Sequence, residues 1–297
     1  MLDRTISFSI IVPTFNRAGH IVKTIHSVLQ QEYANFELII VDDGSTDGTD
    51  RIVLSFSDDR IKYFYKSNEE RAVARNYGVA RACGKYVTFL DSDDLLLPHH
   101  LVAAASFVND HGDVNVFHLG YDVVSSDGKV IYPWKSLPDP VNKKLAEGNF
   151  LSCLGVFIKQ EILLKYPFNE DRGLSGSEDY ELWIRLAAHY PIRTRSIVTA
   201  QLVNHDNRSV LQLNVEAFVT RIDLTKKYLL LDKNVQTYFG IRLKSIFAHH
   251  DLYASLHLAM ANKQRMGWKY LMAAIGQWPT IVFNYRFIVV VKKLIFK

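Results

Sequence analysis

The strongest chemical signal in the sequence is an acidic triplet, Asp91-Ser92-Asp93, that directly follows the apolar run 86–90. Residues two apart at the end of a strand point to the same side, so both carboxylates can face one ligand. Carboxylate oxygens suit Mg²⁺ or Mn²⁺, which bind through one or two carboxylates plus substrate phosphates. We therefore predict a divalent-cation site at Asp91 and Asp93. The structural alternative is a turn in which each Asp bonds nearby backbone N–H groups.

A second acidic pair, Asp42-Asp43, follows the apolar run 36–41 and leads into Gly44-Ser45. A carboxylate at this position could accept a hydrogen bond from the N–H of a base or from a ribose hydroxyl. The structural alternative is a turn followed by a helix whose N-cap is Ser45 or Asp47. The two interpretations are compatible, because one carboxylate can close a turn while its neighbour binds a ligand.

Side chains that suit a phosphate occur between these clusters, at Arg71, Arg75 and Asn76. Guanidinium groups bind phosphate through two parallel hydrogen bonds, although a solvated helix face explains the same residues equally well. The sequence has neither a Walker-type phosphate loop nor a G-x-G-x-x-G pattern after its first apolar run. A Rossmann dinucleotide site is therefore disfavoured.

Two further candidates lie in the second half of the chain. Glu178-Asp179 opens a helical pattern, where acidic residues are favoured by the helix dipole alone. The functional interpretation is that one of these carboxylates is a general base that takes a proton from a hydroxyl. His205 lies in a polar segment, and it is either a solvated loop residue or a metal ligand.

The elements that must position these residues alternate between apolar runs and helical patterns. Runs typical of buried strands lie at 8–12, 36–41, 61–65 and 86–90. This order predicts an α/β fold with a mainly parallel sheet flanked by helices on both faces. Ligands bind beyond the carboxyl ends of such strands, which is where 13–17, 42–45 and 91–94 lie. The three polar clusters are therefore expected to form one site.

Charge is distributed unevenly along the 297 residues. The chain carries a net charge of +4, yet the part from Glu216 onward has 13 Lys and Arg against 4 Asp and Glu. A basic, helical C-terminal part suggests an anionic partner, and either a membrane surface or a helical lid with a solvated basic face fits it. No known nucleic-acid-binding motif accompanies the basic residues, so we predict no nucleic-acid partner.

The cellular compartment is predicted from the cysteines and the N-terminus. Cys83 and Cys153 do not form a disulfide or metal pattern, and the first residues lack a signal-peptide pattern. We expect a cytoplasmic protein, with the inner face of the plasma membrane as its place of contact. The uncharged stretch 270–285 is shorter than a membrane-spanning helix requires.

Several segments together resemble the inverting family 2 glycosyltransferases with a GT-A fold. The matching segments are 10–17 (IIVPTFNR), 41–45 (VDDGS), 74–76 (ARN), 90–94 (LDSDD) and 177–183 (SEDYELW). Their order and spacing match over about the first 210 residues, and the resemblance thins after residue 215. It implies a GT-A catalytic domain at 1–215 and a basic helical extension at 216–297.

The resemblance also implies roles for individual residues. The nucleotide pocket of the donor site would be lined by Pro13, Thr14, Asn16 and Arg17. The uracil or ribose would be contacted by Asp43 with Asp42. The base and ribose would be bordered by Arg71 or Arg75 with Asn76. The triplet Asp91-Ser92-Asp93 would supply the metal site, with Asp93 favoured as the direct ligand of Mn²⁺ or Mg²⁺. Asp179 would be the base, supported by Glu178.

The function implied by the resemblance is hexosyl transfer. An inverting, metal-dependent enzyme would move one sugar from a nucleotide diphosphate donor, with UDP expected, to a hydroxyl of a glycan or lipid-linked acceptor in bacterial cell-surface glycan synthesis. The Gln-x-x-Arg-Trp motif of processive synthases is absent, which favours transfer of a single sugar. An inactive nucleotide-sugar-binding protein, a sugar nucleotidyltransferase and an oligomeric assembly remain open. Glu70 stands where the family often has Gly, which leaves the contact of Arg71 open.

Overall fold

A computed structural model describes residues 5–205 and 214–296, which form two compact units. The first unit contains the described residues of Met1–Val141, Leu151–Arg172 and Tyr190–Arg208, and the second those of Asn142–Phe150, Gly173–His189 and Ser209–Lys297. Two short segments from the middle of the chain therefore fold with the C-terminal residues. The domain boundary at 215 remains a prediction.

A nine-stranded sheet forms the centre of the first unit. Its strands are β1 (Phe8–Thr14), β2 (Phe36–Asp42), β3 (Ile61–Tyr65), β4 (Tyr86–Phe89), β5 (Leu95–Leu96), β6 (Val116–Ser125), β7 (Val130–Tyr132), β8 (Val156–Lys159) and β9 (Ile192–Asn204). They are arranged in the order β3-β2-β1-β4-β8-β6-β9-β5, with β7 paired to β6. The four strands expected from the sequence are all present.

The sheet changes character at β4. Strands β1 to β4 are parallel to one another, as predicted. Beyond β4 the sheet is mixed, because β8 is antiparallel to both β4 and β6, whereas β6 and β9 are parallel. The mainly parallel arrangement predicted from the first hundred residues thus holds for that half of the sheet. The carboxyl ends of β1, β2 and β4 lie side by side.

Helices cover both faces of the sheet, as the apolar strands require. The helices of the first unit are α1 (Ile21–Leu29), α2 (Thr49–Leu54), α3 (Arg71–Val79), α4 (His100–His111) and α5 (Gln160–Lys165). Ile10 belongs to the same buried cluster as Ile25 of α1, so α1 covers one face. The neighbouring Ile11 points to the other face, where a Cβ on Gly78 of α3 would lie 2.6 Å from its Cγ2 atom. Helix α3 therefore needs a glycine at this contact.

The second unit is helical. Its helices are α6 (Glu178–Ala187), α7 (Val215–Leu231), α8 (Lys233–Phe239), α9 (Arg242–Met260), α10 (Gln264–Gln277) and α11 (Tyr285–Ile295). Buried apolar residues of α9, α10 and α11 form one cluster that includes Leu252, Leu271 and Val290. The helical C-terminal part was predicted from the sequence. None of the described helices combines the length and the hydrophobicity that crossing a membrane requires.

One residue of the first unit has a backbone conformation that normally requires glycine. Glu70, which immediately precedes α3, has φ 82° and ψ 162°. This region of conformational space is essentially restricted to glycine, and other residues in it lose about 1–3 kcal/mol. The backbone N–H of Glu70 donates to Asp43 Oδ2 at 2.9 Å, and this bond helps to hold the conformation. The strain gives a physical reason why the family often has Gly here.

We predict that Glu70→Gly is more stable than Glu70→Ala by about 1–2 kcal/mol, because both changes remove the carboxylate and only glycine relieves the strain. Urea denaturation of the two variants measures the difference. As a control, Asn262→Gly should change stability little, because Asn262 has φ 58°, a value that Asn tolerates. Equal stability of the two Glu70 variants would contradict the prediction.

Candidate functional site

The loops that follow β1 and β2 are joined by hydrogen bonds into one surface at the carboxyl edge of the sheet. The backbone N–H of Asn16 donates to Ser45 Oγ at 2.8 Å, and the Asn16 side chain accepts from the N–H of Thr46 at 2.8 Å. The next residue, Arg17, donates its backbone N–H to Thr49 Oγ1 at 3.0 Å. These bonds fix the start of the Arg17 side chain relative to the second loop.

The two neighbouring strand-end residues Pro13 and Thr14 lie at the base of this surface. Pro13 is half-buried and Thr14 is buried. Thr14 Oγ1 is inaccessible to solvent and has no hydrogen-bond partner among the described residues. A buried hydroxyl without a partner costs free energy.

Asp42 performs a structural role in the described structure. Its buried carboxylate accepts from the backbone N–H of Ser45 at 2.7 Å and from the Tyr63 hydroxyl at 2.8 Å. Burial raises the pKa of Tyr63, and the bond to Asp42 raises it further. Asp42 therefore closes the turn after β2, as the structural alternative predicted, but the N-cap of α2 is Gly48 rather than the predicted Ser45 or Asp47.

Asp43 organises the segment that leads into α3. Its carboxylate accepts from Lys66 Nζ at 2.7 Å and from the backbone N–H groups of Glu69 and Glu70 at 3.0 and 2.9 Å. Burial disfavours the charged form of Lys66, but hydrogen bonds to Asp43 and Glu69 outweigh this and raise the pKa of Lys66. Asp43 is 4% exposed, and its contacts therefore fix the position of neighbouring groups that could bind a ligand.

The residues of α3 connect the acidic triplet to the rest of the unit. Arg75 is 2% exposed, and its Nη2 atom lies 2.9 Å from Asp91 Oδ1. Its guanidinium also stacks 5.3 Å from the centre of the Phe168 ring. Asn76 donates to the Phe168 carbonyl at 2.9 Å and accepts from its N–H at 3.0 Å. Arg75 and Asn76 thus hold Asp91 and the segment around Phe168 in place. Arg71, the first residue of α3, is half-buried.

Asp93 is the centre of a separate cluster of charged and imidazole groups. Its Oδ2 atom lies 3.0 Å from Nε2 of His205 and 3.7 Å from Nε of Arg17. The ring of His20 stacks on that of His205, with 4.7 Å between centroids. Burial lowers the pKa of His20, and His205 lowers it further. The predicted residues Arg17, Asp93 and His205 therefore meet, and His20 joins them.

Asp94 explains how two residues so distant in sequence meet. Its buried carboxylate accepts from the backbone N–H of Val203 at 2.8 Å, and β5 pairs with β9 just beyond it. This bond fixes the end of β9 against the acidic turn. His205 follows two residues later and reaches Asp93. Ser92, which lies between Asp91 and Asp93 in the sequence, is buried.

A divalent cation fits this donor set. Among the described residues no group of three His, Cys, Asp or Glu side chains is arranged to hold a metal ion unaided. Mn²⁺ and Mg²⁺ need no such group, because they bind through one or two protein ligands plus substrate phosphates. Asp93 offers a carboxylate and His205 an imidazole whose buried Nδ1 has no hydrogen-bond partner in the described ranges. Carboxylate oxygens suit Mn²⁺ and Mg²⁺, whereas imidazole is better suited to softer first-row metals, so Asp93 is the stronger candidate ligand.

Glu178 and Asp179 belong to the second unit and open α6. The Glu178 carboxylate accepts from the backbone N–H of Gly176 at 2.6 Å, so it fixes the turn before the helix. Gly176 has φ 88°, and a Cβ there would lie 2.3 Å from Arg221 Nη1. Asp179 accepts from Asn149 Nδ2 at 3.1 Å. Glu178 supports the turn, and Asn149 orients the carboxylate of Asp179.

Asp179 lines a cavity of about 430 Å³ within the second unit. Rings form much of its wall, including those of Tyr253 and the three histidines His249, His250 and His257. Burial lowers the pKa of His250 to about 3 and also lowers the pKa values of His249 and His257, so the imidazoles are uncharged at neutral pH.

One cation, Arg286, lies at the same cavity. Burial raises the pKa of Tyr253, Asp179 adds to that increase, and Arg221 and Arg286 oppose it, so these charged groups lie within electrostatic range of Tyr253. A carboxylate beside neutral rings and one guanidinium can accept a proton from a bound hydroxyl while the rings cover apolar parts of the same molecule.

Sequence reasoning missed several residues of both sites. No sequence motif marks these residues, which are Lys66 and His20 in the first unit and Asn149, Tyr253 and Arg286 in the second. Their partners lie tens of residues away in the chain, and only the fold brings them together. A single signal was available for Arg286, which ends the uncharged stretch 270–285.

Comparison with known proteins agrees with this arrangement. The family model for glycosyl transferase family 2 matches residues 9–155. The chain is 33% identical over 182 residues to UDP-Glc:alpha-D-GlcNAc-diphosphoundecaprenol beta-1,3-glucosyltransferase WfgD of Escherichia coli, with 60% of this chain and 68% of WfgD covered. The chain also matches three uncharacterized glycosyltransferases from Rickettsia species. It spans 30%, 30% and 19% of the lengths of these three relatives.

Solved structures share the fold. S. aureus TarS 1-349 in complex with UDP-GlcNAc matches with a TM-score of 0.67 at 19% identity, over 95% of this chain and 92% of that chain. The mannosyltransferase PcManGT from Pyrobaculum calidifontis, in complex with GDP-Man and Mn²⁺, matches with a TM-score of 0.60 at 18% identity, over 98% and 81%. These likenesses confirm the predicted GT-A fold. The relative from Escherichia coli, together with the family model, shows that this chain belongs to glycosyl transferase family 2.

Proposed function

We propose that the chain is an inverting glycosyltransferase that uses a divalent cation to transfer one sugar from a nucleoside diphosphate donor, with UDP as the nucleotide, to an acceptor hydroxyl. The observation that carries the proposal is the meeting of Asp93, His205 and Arg17 at the carboxyl edge of the sheet. Family membership supports the reaction class. The solved relatives named above contain UDP-GlcNAc and GDP-Man, which supports a nucleotide sugar as donor.

The donor site follows from the charges at this edge. Asp93 and His205 would hold Mn²⁺ or Mg²⁺, which supplies positive charge for the departing diphosphate. Arg17 adds a guanidinium that suits a phosphate oxygen. Asp43 and the Asp91–Arg75 pair are held by protein contacts, so they shape the pocket for the base and ribose before the donor arrives.

The acceptor would enter the cavity that contains Asp179. Inversion in one displacement needs one base, and a carboxylate ionised at neutral pH can take the proton as the hydroxyl oxygen attacks the sugar carbon. Asn149 fixes the orientation of Asp179 through its hydrogen bond. The uncharged rings of the cavity suit the apolar faces of a sugar.

The acceptor class is proposed from the relatives. WfgD is named for an acceptor linked to diphosphoundecaprenol, and a Bacillus subtilis relative, 38% identical over 157 residues, is named as a putative teichuronic acid glycosyltransferase. We propose a lipid-linked acceptor in bacterial cell-surface glycan synthesis, modified at the inner face of the plasma membrane. Such acceptors combine a sugar hydroxyl for Asp179 with phosphates that Arg286 could pair.

The first prediction concerns the cation. UDP should raise the midpoint of thermal unfolding more when Mn²⁺ is present, because a ligand that binds only the folded state stabilises it. Asp93→Asn should weaken the Mn²⁺-dependent binding of UDP about 10–100-fold, since it removes a ligand that Arg17 and His205 position.

The matched control is Asp59→Asn, which changes an exposed carboxylate of the same unit. It should bind UDP and Mn²⁺ like the unchanged protein. If Asp93→Asn kept the full effect of Mn²⁺, the cation would have to be removed from the proposal. Release of pyrophosphate from a nucleoside triphosphate would instead favour a nucleotidyltransferase.

The second prediction concerns the base. Asp179→Asn should lower kcat for transfer from UDP-glucose or UDP-GlcNAc to an undecaprenyl diphosphate-linked sugar by about 10²–10⁴-fold, because the amide cannot accept the proton. Binding of UDP with Mn²⁺ should stay unchanged. Quantifying released UDP and bound UDP separately distinguishes the two steps.

Glu216→Gln provides the control for this variant, since Glu216 is an exposed carboxylate of the same unit. Its turnover should equal that of the unchanged protein. Asn149→Ala should lie between the two, because it leaves the base but removes the contact that orients it. Undiminished transfer by Asp179→Asn would exclude it as the base.

A further inference from the structure

The last helix of the chain has an apolar face that the described part of the protein leaves exposed. Tyr285, Ile288 and Ile295 are 78%, 52% and 57% exposed, and Phe296 just beyond the helix is 70% exposed. Residues 285, 288, 292 and 295 follow the three- and four-residue spacing of one helix face. Immediately before the helix, Phe283 is 87% exposed.

The opposite face of α11 is the one that packs. Val290 and Leu294 are buried in the cluster with α9 and α10, and Phe287 and Val291 pack against it. A helix that is apolar on both sides is normally buried on both sides. The outer face of α11 instead carries exposed apolar side chains together with basic ones, and the described residues leave its apolar part uncovered.

The charged residues of α11 itself are all basic. Arg286, Lys292 and Lys293 are exposed on α11, with Lys292 in line with Ile288 and Ile295. No Asp or Glu follows Asp251, so the last 46 residues contain basic residues and no acidic ones. A surface of aromatic and aliphatic side chains edged by lysines complements an anionic, partly apolar surface.

We propose that Phe283, Tyr285, Ile288, Ile295 and Phe296, with Lys292 and Lys293, dock the protein on the surface of an anionic phospholipid bilayer. The apolar side chains enter the region between headgroups and acyl chains, and the lysine ammonium groups extend to the lipid phosphates. Helix α11 has 11 residues, which suits a position along the interface.

Docking through this face would place the cavity that contains Asp179 next to the lipid surface. Arg286 lies in the first turn of α11 and lines the cavity that contains Asp179. One short helix thus carries both a wall of the cavity and the lipid-facing side chains. A lipid-linked acceptor would present its phosphates beside Arg286. This step rests on the proposed function, whereas docking on the bilayer does not.

Sedimentation of the full chain with vesicles tests the docking. Vesicles of equal parts phosphatidylglycerol and phosphatidylcholine should bind the protein at low salt and release most of it at high salt. The double change Lys292→Gln/Lys293→Gln should weaken binding to these vesicles about fivefold for each lysine. Ile288→Ser should weaken it about tenfold, because one large apolar side chain no longer enters the lipid.

Matched controls separate this face from general charge and hydrophobicity. Lys227→Gln/Lys233→Gln removes two exposed charges from α7 and α8, and Leu54→Ser removes a side chain on α2 that is 67% exposed. Both should bind vesicles like the unchanged protein. Equal losses in the control and test variants would overturn the proposal, as would an absence of binding at low salt.

A second copy of the chain is the competing occupant of the face. Analytical ultracentrifugation without lipid would then show a dimer that Ile288→Ser dissociates, together with no vesicle binding, and that result would overturn the proposal. Neither measurement uses a nucleotide sugar. Failure of docking is therefore distinguishable from failure of the proposed transfer reaction, which the Asp179→Asn assay in detergent tests.

Discussion

The candidate donor site depends on the contact between the acidic turn after β4 and the end of β9. Asp94 accepts from the backbone of Val203, which fixes the end of β9 against the turn after β4. The pairing of β5 with β9 supports the same approach of the two segments. Because the carboxylate is buried, the cost of leaving it unpaired holds the two segments together. The meeting of Asp93 with His205 follows from it.

The acidic residues at this edge have different roles because their partners differ. Asp42 and Asp43 are engaged by backbone N–H groups, a tyrosine and a lysine, and they give the loops their shape. Asp91 is paired with a buried arginine. Asp93 instead faces an imidazole and a guanidinium, which lie 3.0 and 3.7 Å from its carboxylate. A site for a bound cation and diphosphate requires groups whose positions are fixed by preorganised neighbours.

The sequence allowed the prediction of features that depend on local patterns. Alternating apolar runs and helical segments predicted the parallel strands β1 to β4, and the acidic clusters were placed correctly at their ends. The antiparallel β8 and the long β9 were not predicted, because the middle of the chain lacks a clear period. Contacts such as Arg75 with Phe168, or Asp93 with His205, join residues 93 and 112 positions apart, and no spacing rule reaches that far.

The family model ends at residue 155, before Asp179 and before the helices that line its cavity. The segments 142–150 and 173–189 fold with α7 to α11, so the proposed base is built into the helical unit rather than into the sheet. In the proposed reaction the nucleotide of the donor would contact the sheet edge, and the acceptor would contact the unit that contains the proposed base. The C-terminal helices are therefore part of the proposed acceptor site, because they supply His250, Tyr253 and Arg286 around Asp179. Selectivity for the acceptor would be encoded in the part of the chain that the family model does not cover.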